Sequence, residues 1–510
     1  MTSDRNLHFI QEPKLAFGNG QAVVSPKDGL FLFGPVESRE NFGSIRIGVV
    51  GTGSGIAYFR AWIESIQGFI PGANSDSPQH RPFPGFAAVF GVNFPRVPVA
   101  ELVVDDALID SALFIEERHQ AIYRTVDVFS DPIRRYMEQE EVAVDIWFVL
   151  VPERVHEHGR PKSVIPKELR LKSDSLMNRK LAKNLLNQGG LFDADDDAAI
   201  PYYYEVNFHN QIKSRLLEGN RRAVIQLVRE TTIAPHAFLN AKNEPLRKPQ
   251  DPATIAWNLC TTTYFKAGLR PWRLKDVRPG VCYIGLVFKQ VETAKDENAA
   301  CCGAQMFLDS GDGLVFRGAV GPWRTARKGE YHLQRDSAEK LIRMVIDGYY
   351  KNHGCYPKEL FLHGKTYFND DEWAGFRAAV PEETNLVGVR ISDARDFKLF
   401  RFGSHPIIRG TAFCRTERSG YLWTRGYIPY LKTYPGRETP NPLRIDVVRG
   451  EAPLLQVMQD IMGLTKLNFN ACIYGDGLPV TLRFADSVGE ILTAGPASEH
   501  QPPLPFKHYI

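Results

Sequence analysis

The sequence Phe208-His-Asn-Gln-Ile-Lys-Ser-Arg-Leu216, followed shortly by Ala223-Val-Ile-Gln-Leu-Val228, predicts a helix that leads into a strand. Apolar residues recur every four positions in the first segment, which places them on one face of a helix. His209 and Lys213 recur at the same spacing one step further round, so both project from the border of that face. The second segment is β-branched and apolar except for Gln226, and a buried glutamine needs a hydrogen-bond partner.

A second helix is predicted to end at Lys266. Asp251 is suited to cap its first turn, Pro252 suits the first helical position, and Gly268 marks its end. Lys266 then lies in the last turn, near the predicted strand.

These elements predict a pocket of imidazole, carboxamide and two ammonium groups. Such a set of donors and positive charges suits a terminal phosphate. Spacing alone leaves open the alternative of an ordinary surface helix with unrelated polar residues. The predicted pocket residues are His209, Lys213, Gln226 and Lys266.

Outside this centre, short β-branched runs alternate with amphipathic segments, which predicts an α/β fold. Breaker residues concentrate between Gly268 and Gly280, and a new strand is predicted to begin at Cys282. We therefore predict two domains, residues 1–277 and 278–510, with an N-terminal segment leading into the first.

The composition is that of an ordinary globular protein. The chain has 510 residues, 43% of them hydrophobic, which suits two or three domains and excludes a disordered or collagen-like chain. Its 62 Lys and Arg nearly balance 59 Asp and Glu, so the net charge of +3 gives no overall reason to bind nucleic acid. Seven scattered cysteines without a CxxC pair argue against a disulfide framework or a zinc ribbon. The N-terminus lacks a signal-peptide pattern and no apolar run approaches about 18 residues, which predicts a cytoplasmic protein without a membrane partner.

A glycine-rich turn, Gly48-Val-Val-Gly51-Thr-Gly53-Ser-Gly55, follows a predicted strand and opens a helix. Main-chain N–H groups in such a turn bind phosphate, so a nucleotide-binding regulatory protein is one alternative function. The dinucleotide motif also requires an acidic residue at the end of a second strand about 20 residues further on. Residues 72–78 instead have the composition of a loop, which favours a structural strand-to-helix turn.

Positive charge is concentrated between residues 401 and 450. This segment has nine Lys and Arg against three acids, with seven interleaved aromatic residues. It suits contact with a phosphate backbone and stacking on bases, although a protein interface would look similar. The candidate contacts to a nucleic-acid backbone, there and in the following helical segment, are Arg415, Arg418, Arg425, Lys432, Lys466 and Asn468.

The helix, strand and helix around the predicted pocket resemble the MID domain of Argonaute proteins, a Rossmann-like domain that binds the 5′ phosphate of a guide strand. The family pattern is Tyr, Lys, Gln, Lys, and this sequence has His209 in the place of the tyrosine. The resemblance implies that Lys213, Gln226 and Lys266 bind the guide phosphate together with His209. It also implies that the C-terminal carboxylate of Ile510 reaches the pocket and helps to hold a Mg²⁺ ion that bridges guide phosphates.

The second half resembles a PIWI domain, which has an RNase H-like fold. PIWI cleavage requires several carboxylates that hold two metal ions. Here Val287 stands at the first catalytic position, Gly364 or Lys365 stands at the second, and Asp486 alone remains. We therefore predict no catalytic residues and no target cleavage by this chain. The similar segments are Tyr283-Ile-Gly-Leu-Val287, Phe361-Leu-His-Gly-Lys365, Leu464-Thr-Lys-Leu-Asn-Phe-Asn470 and Leu478-Pro-Val-Thr-Leu-Arg-Phe-Ala-Asp486.

The two matches cover most of residues 30–510 and leave no stretch for N-terminal and PAZ domains, so the resemblance is to short prokaryotic Argonautes with an inactive PIWI domain. It implies a heterodimer that binds a 5′-phosphorylated guide RNA and recognises complementary single-stranded DNA of plasmids or phage. The implied partner is an APAZ-containing effector with a TIR, sirtuin-like or nuclease domain, which the complex activates. A further alternative function is an RNase H-like nuclease that uses Asp486 with other acids in a non-standard metal site.

Overall fold

The structure is a computed structural model. It describes residues 6–37, 44–74, 78–173, 177–188, 197–290, 299–307, 313–322, 331–434, 436, 438–496 and 503–510. Their strands are β1 (Leu7–Phe9), β2 (Leu15–Ala16), β3 (Ala22–Val23), β4 (Ile47–Gly51), β5 (Ala100–Val103), β6 (Ile146–Val151), β7 (Ile225–Arg229), β8 (Arg273–Leu274), β9 (Val281–Gln290), β10 (Ala299–Phe307), β11 (Gly313–Pro322), β12 (Glu359–Gly364), β13 (Asn385–Asp393), β14 (Thr411–Cys414), β15 (Ser419–Leu422), β16 (Leu443–Arg449) and β17 (Leu504–Pro505).

The helices alternate with these strands, as the sequence pattern predicts. They are α1 (Pro26–Phe33), α2 (Gly53–Ile66), α3 (Phe86–Phe90), α4 (Asp106–Leu113), α5 (Arg118–Gln139), α6 (Glu153–His158), α7 (Arg179–Gln188), α8 (Phe208–Leu216), α9 (Glu230–Ile233), α10 (Pro252–Lys266), α11 (Arg335–His353), α12 (Asp370–Ala379), α13 (Leu454–Leu464), α14 (Val480–Arg483) and α15 (Ala485–Thr493). None of these helices is long and apolar enough to cross a membrane.

The first half of the chain forms a parallel sheet in the order β5–β4–β6–β7. Its central strands are buried on both faces, as is usual when helices cover a parallel sheet on either side. Phe148 and Leu150 of β6 share one core with Phe59 of α2, whereas Trp147 and Val149 of the same strand share another with α5 and α8. The alternation of side chains along β6 therefore fixes which helices lie on which face.

The second half forms a mixed sheet in the order β1–β14–β15–β16–β13–β12–β9–β10–β11–β17. At its centre β12 lies parallel to β9 and β13, and the other pairs are antiparallel. Ile284 and Leu362 pack with Leu341 and Val345 of α11 on one face. On the other face the sheet shares a continuous core with α13 and with the parallel sheet, so the two halves pack against each other.

Both ends of the chain join the second sheet. β1 lies in the predicted first domain, residues 1–277, but pairs with β14 at the edge of the larger sheet. β17 pairs with β11, and Phe506 directly after it packs against Phe307 and Phe484 with ring centroids 5.2 and 5.3 Å away. The boundary between residues 1–277 and 278–510 stays a prediction. Strand β1 belongs to the first of these ranges but is part of the sheet formed by the second.

Close packing between β9 and α14 generates a stability prediction. A Cβ atom on Gly285 of β9 would overlap the main-chain oxygen of Thr481, whereas nothing lies within 4 Å of a Cβ on Gly53 at the start of α2. Because overpacking a core costs about 1–3 kcal/mol, Gly285→Ala is expected to lower the free energy of unfolding by about 2 kcal/mol or more. Gly53→Ala, the matched control, is expected to change it little. Urea denaturation of both variants checks this, and equal midpoints would contradict the packing of β9 against α14.

Candidate functional site

Helix α8 places Lys213 inside the protein. The helix begins after Asn207, whose side chain accepts a hydrogen bond from the main-chain N–H of Asn210. The predicted apolar face is confirmed, because Phe208, Ile212 and Leu216 are all buried. Lys213 leaves the same helix yet is only 6% exposed, so its long side chain runs through the interior to the C-terminal segment.

Lys213 and Lys266 meet at the same oxygen atom. Lys213 Nζ donates to the main-chain oxygens of Tyr509 and Ile510 at 3.3 and 3.2 Å. Lys266, at the end of α10, also donates to the Ile510 oxygen, and it is only 1% exposed. The C-terminal segment, nearly 300 residues after Lys213 in the chain, thus brings the two ammonium groups together.

Gln226 has the partner that its position in the sequence requires. Lys266 Nζ donates to Gln226 Oε1 and to the main-chain oxygen of Ile225, both at 2.8 Å. The Gln226 amide in turn donates to the main-chain oxygen of Leu227 at 3.2 Å. β7 thus contributes a side-chain amide and a main-chain carbonyl to the wall of the pocket.

The two lysines carry positive charge into a region where no carboxylate side chain among the described residues contacts them. Burial lowers the pKa of Lys213 to about 8, and burial together with the neighbouring Lys213 lowers the pKa of Lys266 well below its usual value. Buried charge is unfavourable unless it is paired. The pocket therefore favours an anionic ligand, and such strongly shifted groups are typical of functional sites.

Two histidines adjoin this pocket. His209 keeps an exposed edge and contacts Asn210 Oδ1 through Nδ1 at 3.0 Å, while surrounding protein atoms and the charge of Lys213 lower its pKa to about 4. His508, in the C-terminal segment, has its pKa lowered to about 4 by burial and by Lys507. Both imidazoles are neutral at pH 7 and able to donate one hydrogen bond each.

The structure thus brings all four predicted pocket residues together with Ile510. Sequence reasoning did not identify Lys507 and His508, which join the same positive region through the C-terminal segment. The sequence signal that could have identified them is the adjacent basic pair, Lys507 and His508, between the apolar residues that dock the C-terminal segment.

The pocket does not form a protein-held Mg²⁺ site. Magnesium prefers oxygen ligands with carboxylate charge, and no cluster of three or more acidic, histidine or cysteine residues suited to a metal is present in the part of the chain that the structure describes. The predicted ligand, the terminal oxygen of Ile510, already accepts hydrogen bonds from both lysine ammonium groups, and the neighbouring Gln226 Oε1 accepts one from Lys266. The predicted ion stays a prediction, and these residues alone do not fit it.

The glycine-rich turn is occupied by the protein itself. Thr52 caps α2 by accepting from the N–H of Gly55 at 3.0 Å, and its hydroxyl donates to Glu230 Oε1 at 3.0 Å. Glu230 is buried and lies against Gly55. A phosphate at this helix N-terminus would meet a carboxylate, so the structural interpretation of the turn is favoured and the nucleotide alternative loses support.

The predicted nucleic-acid contacts fall into two groups. Arg415, Arg418, Arg425 and Lys432 are exposed, and Arg418 is held in place by the main-chain oxygens of Val447 and Gly450.

The other two candidates require correction. Lys466 has no exposed side-chain surface, because it donates to Glu12 and to the main-chain oxygens of Val24 and Tyr474. Asn468 is 8% exposed and donates to Asp476. In this structure both residues hold the fold together and are not accessible to a nucleic-acid backbone.

The positions that correspond to PIWI catalytic residues also meet. β12 and β9 pair through His363 and Gly285, so Lys365 and Val287 each lie two residues beyond that pair. Lys365 Nζ lies 2.9 Å from both carboxylate oxygens of Asp486 at the start of α15. Asp486 is therefore paired with the ammonium group of Lys365, which is one of the two residues, with Gly364, predicted to stand at the second metal-binding position.

Comparisons with known proteins identify the fold. The structure is similar to that of Clostridium butyricum Argonaute bound to a guide DNA (5′ deoxycytidine) and a 19-mer target DNA, with a TM-score of 0.60 and 14% identity over 96% of this chain and 53% of that chain. It is also similar to Aa-Ago with externally bound siRNA, with a TM-score of 0.55 and 13% identity over 99% of this chain and 56% of that chain. No family model and no curated protein matches the sequence. The chain spans about half the length of these structures and has an Argonaute-like fold, which confirms the predicted α/β class with a MID-like part followed by an RNase H-like PIWI part.

The burial of Lys213 generates a pH prediction. The unfolded chain keeps the Lys213 proton up to its ordinary pKa of 10.5, whereas the folded protein loses it from about pH 8. The unfolded state thus binds more protons in this interval, so the free energy of unfolding is expected to rise with pH, by up to about 2 kcal/mol between pH 8 and 9.5. Urea denaturation across this range checks it. Lys266 and Lys466, whose pKa values burial also lowers, add to the same rise. Lys213→Met is therefore expected to remove only the share of Lys213, up to about 2 kcal/mol, and the exposed control Lys340→Met is expected to keep the whole rise. Parallel profiles for all three proteins would refute the prediction.

Proposed function

We propose that this chain binds the 5′-phosphorylated end of a guide RNA in the pocket between α8, β7, α10 and the C-terminal segment. The observation that carries the proposal is the pair of buried ammonium groups, Lys213 and Lys266, which contact no carboxylate side chain among the described residues and share one terminal oxygen of Ile510. A terminal phosphate supplies the missing negative charge and several acceptors at once.

The Argonaute-like fold supports a polynucleotide as the bearer of that phosphate. The described neighbours were determined with a guide and a target DNA in one case and with siRNA in the other. In the proposal, the guide RNA pairs with complementary single-stranded DNA of plasmids or phage, and base pairing supplies the specificity. The exposed residues Arg415, Arg418, Arg425 and Lys432 contact phosphates along the strands.

The proposal includes no cleavage of the target by this chain. Two-metal hydrolysis requires carboxylates that clamp both ions. Val287 and Lys365 stand at two of the positions, and Lys365 pairs with Asp486. A cation in contact with the remaining acid disfavours a divalent ion there.

The nuclease alternative would require Asp486 to leave Lys365 and to combine with other acids. The nucleotide-binding alternative would require displacement of Glu230 from the glycine-rich turn. The intact hydrogen bonds at both places favour the guide-binding proposal over either.

Because this chain is proposed not to cut, its output passes to a partner. We propose a heterodimer with an APAZ-containing effector of the TIR, sirtuin-like or nuclease type, in prokaryotic immunity. Activation requires that guide and target make different contacts in the resting and active states.

The pocket is tested by its preference for a 5′ phosphate. The double variant Lys213→Ala/Lys266→Ala is expected to weaken binding of a 5′-phosphorylated guide about a hundredfold or more, because each lost charge-assisted hydrogen bond contributes roughly 1.5–3 kcal/mol. Binding of the same guide with a 5′ hydroxyl is expected to change far less. Filter binding at constant salt, with Lys340→Ala as an exposed control, provides the measurement. Equal losses for the two guides would remove the phosphate from this pocket.

The division between sensing and catalysis is tested on the complex purified with its partner. Guide and matched target are expected to switch on NAD⁺ hydrolysis or nuclease activity in the effector. The isolated chain is expected to leave the labelled target intact with Mg²⁺ or Mn²⁺. Cleavage by the isolated chain that disappears in Asp486→Ala would establish the nuclease alternative instead.

A further inference from the structure

A basic and aromatic loop lies between β13 and β14, at residues 394–410, and the pocket described above does not include it. Its tip carries Phe400, Arg401 and Phe402 in succession, all exposed. Phe400 is 74% exposed and Phe402 is fully exposed. Two neighbouring phenylalanines with this exposure are unusual on a globular protein and indicate a contact surface.

Both arms of this loop are anchored to the ten-stranded sheet. Phe397 packs on Tyr421 with ring centroids 4.6 Å apart, and Lys398 Nζ donates to the main-chain oxygen of Thr439 at 3.3 Å. On the returning arm, the ring of His405 stacks on Tyr427 at 4.1 Å with an interplanar angle of 9°. The loop is therefore a fixed projection whose base does not depend on its tip.

The tip itself contacts little of the protein. No hydrogen bond joins residues 399–404 to another residue in the described ranges. Gly403 has a φ of 115° with nothing within 4 Å of a Cβ position, so it turns the chain in open space. The fold thus does not use the two phenylalanines for its own stability.

The loop leaves the sheet at the C-terminal ends of β12 and β13, where the Lys365–Asp486 pair also lies. β13 is parallel to β12 and pairs Arg390 with Gly364, and it ends three residues later at Asp393. Near this edge Arg390 stacks on Tyr367 at 4.5 Å. Arg390 also pairs with Asp446 at 3.2 Å, so the cations at this end of the strands are balanced by acids and the unpaired positive charge lies on the loop itself.

We propose that Phe400 and Phe402 stack on unpaired bases of a single strand, while Arg401 and Lys398 contact its phosphates. This inference rests on the proposed function, and it adds a second nucleic-acid site far in sequence from the phosphate pocket. Every base offers a π-face, so two free rings bind bases without regard to sequence, and alternating cations neutralise the backbone between them. The excess of exposed cations on the loop, Arg395, Lys398 and Arg401 against Asp396, favours a polynucleotide over an apolar protein surface.

The test uses the full chain loaded with 5′-phosphorylated guide RNA. Target DNA carries 2-aminopurine at successive positions, both within the guide-matched region and in single-stranded flanks. Quenching is expected at a few unpaired positions and is expected to disappear in Phe400→Ala/Phe402→Ala. Affinity for flanked targets is expected to fall at least about fivefold to 150-fold, the range for the stacking of one base, while targets without flanks bind as before.

Matched variants separate stacking from general damage. Phe400→Tyr/Phe402→Tyr is expected to keep quenching and affinity, and Phe69→Ala, which removes a comparably exposed ring elsewhere, is expected to change neither. Unchanged quenching and affinity in the double alanine variant would overturn the inference. Loss of binding to anionic phosphatidylserine vesicles in that variant, with nucleic-acid binding intact, would assign the loop to a membrane.

The failure of the proposed function is recognisable separately. If the wild-type chain binds no 5′-phosphorylated guide, the pocket proposal fails, and quenching of 2-aminopurine in single-stranded DNA alone still decides on the loop. If guide binding is normal and the loop variants behave as wild type, only the loop inference fails.

Discussion

The main-chain oxygen of Ile510, shared by the ammonium groups of Lys213 and Lys266, is the contact that joins the two halves of this protein at its candidate site. One lysine comes from α8 and the other from α10, and both belong to the MID-like half. Ile510 follows β17, which is an edge strand of the PIWI-like sheet. A ligand that draws the lysines toward itself would therefore also act on a segment fixed to the other sheet, which is a physical basis for communication between the halves.

Lys466 and Lys213 are both buried, but only Lys466 is paired with a carboxylate side chain of the described residues, and this difference decides which of them is available to a ligand. Lys466 is fully buried, but it lies 2.8 Å from the Glu12 carboxylate, and Arg409 binds the same carboxylate at 2.9 Å. Burial lowers the pKa of Lys466 to about 8, while the charges of Arg409 and Lys466 hold the pKa of Glu12 below its usual value, so each of the two cations contacts the shared carboxylate. Lys213 contacts no carboxylate side chain among the residues that the structure describes, and it shares the terminal oxygen of Ile510 with Lys266. The first arrangement fixes the N-terminal segment to the second sheet, and the second leaves charge available for a ligand.

The sequence was sufficient where local chemistry decides the structure. Helix α10 begins after Asp251 and ends at Lys266 as its capping pattern predicts, and the polar Gln226 in an apolar strand correctly indicated a partner within the protein. It was insufficient where distant segments meet. The accessibility of Lys466 depends on Glu12, more than 450 residues away. The chemistry of the glycine-rich turn depends on Glu230, and neither contact leaves a local pattern in the sequence.

The PIWI-like part brings an ion pair to the place where two strands and a helix converge. The pairing of β12 with β9 and the position of α15 still bring three chain segments together, as metal-dependent hydrolysis would require. Lys365, directly after β12, forms an ion pair with Asp486, the acid at the start of α15. The pair is exposed, with Lys365 and Asp486 retaining 51% and 71% of their side-chain surface, so it adds little to stability. Its effect is electrostatic: the pair has no net charge, and the ammonium group of Lys365 occupies the carboxylate that a divalent cation would need, in keeping with the proposed function.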